Sequence, residues 1–598
     1  MTTRILLVQI ADIGDLILTT PALFALREAH PDAHLTLLTT SHSAKVIERE
    51  LVDEVITLDR KQFNSSWAFF RPSNLRQLWQ LREGDYEVVV FFHHYTLWLG
   101  TLKFAFVALA TKAGRVLGID NGNGWFLTER IPDEGFGAKH QAQYWLDLVG
   151  LLGVNPSPQR ARIAFDGGVL PIASTNHPRI IIHTGSGGYS LARRWLPAYF
   201  AQVADALHQE FNAQVVFVGT TDDGFEEVRP HLKTNFISLV GKTTLTQLAD
   251  IIRSADLYIG ADSGVMHLAS AVRTPVIALF GSSNADAWAG WSPQGKVVTL
   301  KSEVMCSPCS YVGHRVGARD GCTARTCMRL ITPAMVMQNA RALLQSRPLP
   351  TYRVPQPTPT YPERVGFLGL WHDKASLQES LMHTGALLQR AAFHLVIWSD
   401  YQLLLKATKD PVLRVIYERA PFVLACGTGL MWASNWKRKY LPERILPLQA
   451  LANLLQYAVD KRVKVFLLGE SATTARQILH ETLPNLQIVG AHEGNESVSE
   501  EDAIVEAITH SGATLLLVGY TDGNAEKWMA RNSSRLTVRV GLGIGELMND
   551  IAELTPLAPL WMREWGIGWV YMILRQPRRL RAVWDAPRFV LKTLFERA

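Results

Sequence analysis

The chain has 598 residues, 47% of them hydrophobic and 19% charged, with a formal net charge of +6. That length exceeds what one hydrophobic core serves and predicts several domain-sized units. The composition is that of a globular protein, and so mild a charge gives no ground for a nucleic-acid partner.

The opening "MTTRILLVQIADIGDL" runs straight into an apolar strand, with an acid at Asp12 and no cleavage site, so no secretory signal is predicted. No run of eighteen or more uncharged apolar residues is present. "YTLWLGTLKFAFVALATKAG" is broken by Lys103 and reads as a buried amphipathic helix rather than a membrane span. The expectation is a cytoplasmic protein. Short β-branched runs then alternate with helix-length segments: "RILLVQI", "HLTLLTT", "EVVVFF", "RIIIHTG", "AQVVFVG", "LYIGAD" and "PVIALFG". Such alternation predicts parallel sheets built from βαβ units. It lapses in "FDGGVLPIASTNHP" (165–178), which predicts a hinge between one lobe at 1–166 and another at 167–346. "RPLPTYRVPQPTPTYP" (347–362) carries six prolines and reads as an extended spacer. Strand-like runs resume with "RVGFLGL", "FHLVIWS", "PFVLAC", "VKVFLLG", "LQIVG", "TLLLVGY" and "LTVRVGLG", giving a third α/β domain at 364–598.

Three segments in the first part carry chemistry. In "VQIADIGDLILTTPAL", Asp15 follows Gly14 just past the first strand, where it either caps a helix or accepts a proton from a hydroxyl nucleophile. "IIIHTGSGGYSLARRWLP" offers a glycine- and serine-rich loop followed by Arg193 and Arg194, a donor set suited to a diphosphate. "IGADSGVMHLASAVRTPVIALFG" places Asp262, Ser263, Gly264 and His267 between two strands, at the start of a helix. There His267 is either a satisfied core histidine or a ligand group.

Together these segments resemble glycosyltransferase family 9, the heptosyltransferases of bacterial surface-glycan assembly, over residues 1 to 345. "ILLVQIADIGDLILTTPAL" is similar to the family's Gly-Asp segment, "IHTGSGGYSLARRWLP" to its glycine loop, and "DSGVMHLASAVRTPVIALFG" to its D-[ST]-G-x-x-H block. The resemblance implies a GT-B fold, a pair of Rossmann-like lobes with a nucleotide-sugar in the cleft. It implies an inverting transfer without a catalytic metal, with ADP-heptose as the favoured donor and Asp15 as base. Arg193 stands where the family usually has lysine; Ser263, Gly264 and Met266 would line the phosphate site, with Asp262 and His267 near the sugar. Glu226, in "VGTTDDGFEEV", would hold the ribose or base. The acceptor would be a glycan, a lipid-linked sugar or a protein.

Cys306, Cys309, Cys322 and Cys327 fall in "CSPCSYVGHRVGARDGCTARTC", a C-x2-C followed by a second pair, as in tetrahedral metal sites. Structural zinc or iron is the expectation, against unliganded or redox-active thiols. Heptosyltransferases acting on autotransporter proteins are similar in carrying an iron-binding cysteine finger in this region.

From Arg364 onward the chain resembles the TagA/WecG/CpsF glycosyltransferases (family 26), which add N-acetylmannosamine and related sugars to lipid-linked acceptors. The frame is carried by "VFLLGESATTARQILHETLPNLQIVG", "LLLVGYTDGNAEKW" and "APLWMREWGIGWVYMILRQPRRLRA". The polar positions depart from the family. Its P-D-G-x-G aspartate is Cys426 here; its P-K-Q-E becomes G-N-A-E, with Ala525 and Glu526. Its F-D becomes Met548 and Asn549, and its R-A-P arginine becomes Leu557. The expectation is a domain whose own chemistry is lost or severely altered, serving acceptor binding, oligomerisation or membrane docking. From Trp561 to the end, eight Arg or Lys stand against three acids. Arg575, Arg578, Arg579 and Arg581 among aromatic residues fit either peripheral contact with an anionic bilayer or a basic helix packed on its own domain. The expectation overall is an inverting glycosyltransferase, with a two-reaction enzyme or a non-catalytic scaffold as the alternatives.

Overall fold

The computed structural model describes residues 3–59, 71–168, 172–173, 175–187, 190–293, 295–302, 304–312, 314–345, 363–494, 498–553, 562 and 580–595. The proline-rich spacer, Leu557, Arg575, Arg578 and Arg579 lie outside them. The chain divides into two compact units, Met1–Ser302 with Ser307–Arg353, and Val354–Ala598 with Glu303–Cys306.

The first unit holds two six-stranded parallel sheets. One comprises β1 (Arg4–Gln9), β2 (His34–Thr40), β3 (Glu54–Leu58), β4 (Val88–Phe91), β5 (Arg115–Asp120) and β6 (Glu129–Pro132), in the order β3-β2-β1-β4-β5-β6. The other comprises β7 (Arg179–His183), β8 (Gln214–Val218), β9 (Ile237–Ser238), β10 (Leu257–Ala261), β11 (Val276–Phe280) and β12 (Val297–Lys301), in the order β12-β11-β10-β7-β8-β9. Counted from its own first strand, the second sheet has the same order as the first. It is the doubly wound Rossmann order, so the pair is a GT-B arrangement. In such sheets ligands bind beyond the carboxyl ends of the strands where the order reverses, here β1/β4 and β7/β10. β7, β10 and β11 are buried along their whole length, which is why their sequences read as unbroken apolar runs.

The apolar run of residues 7–8 and 16–26 also folds inward: the helix Ile13–Ala29 buries Leu16, Ile17, Leu23 and Leu26 in a core shared with Tyr144, Trp145 and Leu148 of the helix Gln141–Val149. "YTLWLGTLKFAFVALATKAG" forms the helix Trp98–Thr111, but Trp98 is 62% and Leu109 66% exposed, so this helix is less buried than its sequence predicts. Among the described residues no helix is long and apolar enough to cross a membrane.

The second unit holds one eight-stranded sheet: β15 (Arg364–Phe367), β16 (Leu370–Asp373), β17 (His394–Ser399), β18 (Phe422–Ala425), β19 (Val465–Leu468), β20 (Ile488–His492), β21 (Leu515–Val518) and β22 (Val540–Gly543). Between the two units' large sheets in sequence lies a small hairpin of β13 (Ser310–Val312) and β14 (Arg315–Gly317). The eight strands are ordered β15-β16-β18-β17-β22-β21-β19-β20, antiparallel only between β15 and β16. "RVGFLGL", which reads as one strand, turns back on itself. Leu368 and Gly369 both take positive φ, 51° and 71°, as a two-residue hairpin demands. Glycine bears that conformation without cost; Leu368 does not.

Candidate functional site

In the first unit, β1 ends where Ile10 donates its N–H to His93 Nε2 at 2.9 Å. Burial, with His94 nearby, pushes His93 down to about 3, so its imidazole is neutral and accepts this bond. Gln9 Nε2 donates to Thr19 Oγ1 at 2.8 Å, and the Thr19 hydroxyl donates to the Asp15 carbonyl at 2.8 Å. These bonds fix the first turn of the helix Ile13–Ala29. Its N-cap is Asp12, so Asp15 is three residues in, where its carboxyl reaches back to the Asp12 N–H. Asp15 keeps partial solvent exposure. Burial first, then the charges of Asp12 and Asp262, push its carboxyl up to about 7, against the Asp12 N–H and Arg193.

The opposing wall is built at the ends of β7 and β10. Ser263 caps the helix Gly264–Ala271, accepting the Met266 N–H at 3.3 Å. Asp262 is buried and pairs with Arg193 Nη1 at 3.2 Å. The two helix tips meet: a Cβ on Gly14 would lie 2.7 Å from His267 Cδ2 and 3.5 Å from the Gly264 Cα. Position 14 therefore needs glycine for close approach rather than for an unusual φ. His267 is 5% exposed and its Nδ1 has no hydrogen-bond partner among the described residues, so it is not a satisfied core histidine. Burial pushes it down to about 4, with Asp262 opposing and His140 and Arg193 adding. A neutral imidazole with an open ring nitrogen thus sits over Gly14, next to Asp15.

Asp15, Arg193, Asp262, Ser263, Gly264 and His267 are thus brought together, with Met266 buried beneath them. Two sequence candidates are not. Arg194 donates to the Asp222 carbonyl. Glu226 has its side chain 74% exposed and pairs with Arg229 at 3.6 Å. Sequence reading missed His183, at the end of β7, whose Nδ1 is 3.3 Å from Ser263 Oγ and whose Nε2 is 3.3 Å from Asp223 Oδ2. Burial alone would raise the Asp223 carboxyl, but His183 and the Thr220 N–H and hydroxyl hold it below the usual range. Also missed were Ser282 and Ser283 after β11, whose buried hydroxyls have no partner among the described residues. The doublet "SSN" directly after "ALFG" was the available signal.

The structure describes five free cysteines, four of them in the C-x2-C and C-x4-C pairs. None is disulfide-bonded, and among the described residues no three His, Cys, Asp or Glu side chains are arranged to hold a metal ion. Cys306 groups with the second unit, while Cys309, Cys322 and Cys327 group with the first. Cys327 instead packs against the backbone of Gly281, where an added Cβ would meet its Sγ at 3.0 Å.

In the second unit Cys426 is buried, and burial with the charge of Asp400 pushes its thiol well up, which disqualifies it as a proton acceptor near neutrality. Ala525 and Met548 are core residues, and Asn549 accepts the Ser471 hydroxyl at 2.7 Å. Glu526 is 4% exposed.

Residues 75–317 match the model of glycosyltransferase family 9 (heptosyltransferase). Residues 365–598 match the glycosyl transferase WecG/TagA/CpsF family. The chain is a glycosyltransferase, matching one such family in its first part and another in its last. Its family 9 match begins beyond Asp15. Among curated relatives it is similar to lipopolysaccharide heptosyltransferase 3 of Escherichia coli, 24% identical over 295 residues, covering 47% of this chain and 84% of that one. It is also similar to the N-acetylglucosaminyldiphosphoundecaprenol N-acetyl-beta-D-mannosaminyltransferase of Staphylococcus aureus (strain MRSA252), 24% identical over 200 residues, covering 33% and 78%. The solved family 9 glycosyltransferase of Veillonella parvula DSM 2008 overlays at 23% identity with a TM-score of 0.46, covering 57% of this glycosyltransferase and 98% of that chain.

Proposed function

We propose that the first unit moves a sugar from a nucleoside-diphosphate donor, ADP-heptose first among candidates, onto a hydroxyl of a surface-glycan or glycoprotein acceptor, with inversion. The observation that carries this reading is Asp15, its carboxyl pushed up to about 7, set against the Gly264–His267 helix tip and the Arg193–Asp262 pair. A base whose pKa lies near the working pH is matched to taking a proton from an alcohol. The acceptor oxygen attacks the anomeric carbon as the bond from that carbon to the diphosphate breaks; Asp15 takes the hydroxyl proton. One displacement with one base inverts the anomeric centre. The leaving diphosphate is met by the N–H groups opening the helix Gly264–Ala271, by Arg193 and by the buried Ser282 and Ser283 hydroxyls. Neutral His267 donates to or accepts from the sugar through its open Nδ1.

The choice of heptose is supported by the family 9 match and the heptosyltransferase relative. Such donors are cytoplasmic metabolites, and lipid-linked acceptors would bring the enzyme to the inner membrane face. In the second unit, a thiol at position 426 in place of the family's carboxylate supports an altered activity. The four-cysteine spacing supports a structural zinc or iron. Metal content of the purified protein, with and without Cys309→Ser and Cys322→Ser, tests it; stoichiometric metal lost in both variants is the expected outcome.

The experiment for the main reading is nucleotide release from a panel of nucleotide sugars by the full chain and by Asp15→Asn. Release from ADP-heptose that falls about 10²- to 10⁴-fold in the variant is expected. Release untouched by the substitution would sink it.

A further inference from the structure

The second unit keeps acid–base machinery that its sequence motif conceals. β17 is the strand at which the sheet order reverses: the chain leaves it for β18 on one side, while β22 closes the other. The crevice beyond the carboxyl ends of these strands is where such a sheet binds a ligand. Asp400 immediately follows β17 and Cys426 immediately follows β18. The strands are paired Ser399 to Ala425, and the Cys426 N–H donates to the Ser399 carbonyl at 2.7 Å, so the two positions are lateral neighbours. On the other side, β22 ends at Gly543, where any side chain would collide with the Glu526 carboxylate. Two carboxylates and a thiol therefore share one crevice, contributed by β17, β18 and the helix Asn524–Asn532 lying over β22.

Neither acid is held in an ion pair among the described residues. Lys406 is drawn to Asp522, and Lys527 to Asp410 at 3.0 Å; among the described residues no cation pairs with Asp400 or Glu526. Asp400 keeps one carboxyl oxygen on the Leu403 N–H at 2.8 Å and remains partly exposed, while Glu526 is buried. Burial, then the charge of Asp400, pushes Glu526 up to about 7, against its own N–H, Lys527 and Lys406. Burial likewise raises Asp400. Glu526 is thereby matched to exchanging a proton near neutrality. Beneath them the buried His372 Nε2 and Ser399 Oγ are 2.8 Å apart, which fixes the end of β17.

We propose that Asp400, one strand over from the position taken by Cys426, is the proton acceptor of a second glycosyl-transfer site in this unit, with Glu526 as its partner carboxyl. In that step an acceptor hydroxyl oxygen bonds to the anomeric carbon of a nucleoside-diphosphate N-acetylhexosamine. The bond from that carbon to the diphosphate breaks with its electron pair leaving on the diphosphate, and the hydroxyl proton passes to Asp400. The carboxylate has moved along the sheet edge rather than vanished, and the domain is not a spent scaffold.

The test uses the full chain carrying Asp15→Ala, which silences the first unit, so failure here is separable from failure of the reading given for that unit. UDP-N-acetylmannosamine and UDP-N-acetylglucosamine are supplied with a polyprenyl-diphosphate-linked amino sugar, and UDP release is read. Release that falls about 10²-fold or more in Asp400→Asn and about tenfold in Glu526→Gln is expected. Asparagine retains the helix cap, so loss is not the result of unfolding. No release above heat-inactivated protein, or release indifferent to Asp400→Asn, overturns the proposal. Infrared titration of the carboxyl stretch adds a readout free of substrate. A group titrating near neutrality must disappear in Glu526→Gln, and a band that persists there also overturns it.

Discussion

The two units solve the same problem with different electrostatics. Each sets an acid beyond the carboxyl end of a parallel strand at a reversal of sheet order, and each has a carboxyl pushed up to about 7 by burial. In the first unit the acid stands beside a guanidinium, an imidazole and the start of an eight-residue helix. In the second it stands beside another acid, and the nearby lysines are committed to Asp522 and Asp410. The lesson is that a raised carboxyl marks a candidate base, whereas its neighbours decide what leaving group it can serve. Arg193 and the Gly264 helix tip suit a diphosphate, whereas among the described residues of the second crevice the nearby lysines pair elsewhere.

That contrast is broken most severely by Asp15→Asn. It should lower turnover in the first unit about 10²- to 10⁴-fold with little change in KM, and leave the second unit's reaction unaffected. Next comes Gly14→Ala. Its methyl would sit 2.7 Å from His267 Cδ2, so the helix tips must part; turnover should fall at least about tenfold, with a destabilisation of roughly 1–3 kcal/mol read by denaturant unfolding. Arg193→Met should weaken donor binding about tenfold or more and leave Asp262 buried without its partner, whereas Arg193→Lys keeps the charge and should cost less. The pH profile is a finer probe. Asp15 must be ionised to act, so first-unit activity should rise through a midpoint near pH 7 and be lost below it. The stability sign is opposite: with its native pKa raised, Asp15 contributes stability below its unfolded pKa and loses it as pH rises through about 7. Asp15→Asn should therefore melt a few degrees higher than the parent at pH 8, and show no such gain at pH 4. Smallest of all, Glu226→Ala should change nucleotide release less than about twofold, because its side chain is in solvent with Arg229.

Much of the fold was legible because parallel strands covered on both faces are unbroken apolar runs. "RIIIH", "LYIGA" and "VIALF" are each buried from end to end and could be read directly. Two edge strands of the first sheet were not legible: Glu54–Leu58 is buried only at Leu58, and Glu129–Pro132 ends in proline, so neither carries a continuous apolar signal. The hairpin at Leu368 and Gly369 was hidden because leucine is not a residue that announces a positive φ. At the first site, Gly14-Asp15 and Asp262 to His267 were visible as local motifs. His183 and Asp223 were not, because each becomes meaningful only beside the other at 3.3 Å. Glu226 is the converse case: its side chain stands in solvent beside Arg229, and a carboxylate's place in sequence says nothing about which way a short helix faces.

The sequence by itself determined the strand runs, the glycines that permit close approach and the chemical types present in each motif, since these depend on neighbours within a few residues. Only the tertiary structure decided which acids work together. Sheet register brings Asp400 beside Cys426 and a helix tip carries His267 onto Gly14, joining residues up to 253 positions apart. Burial by the assembled fold, which no local pattern encodes, then sets the proton affinity of each group.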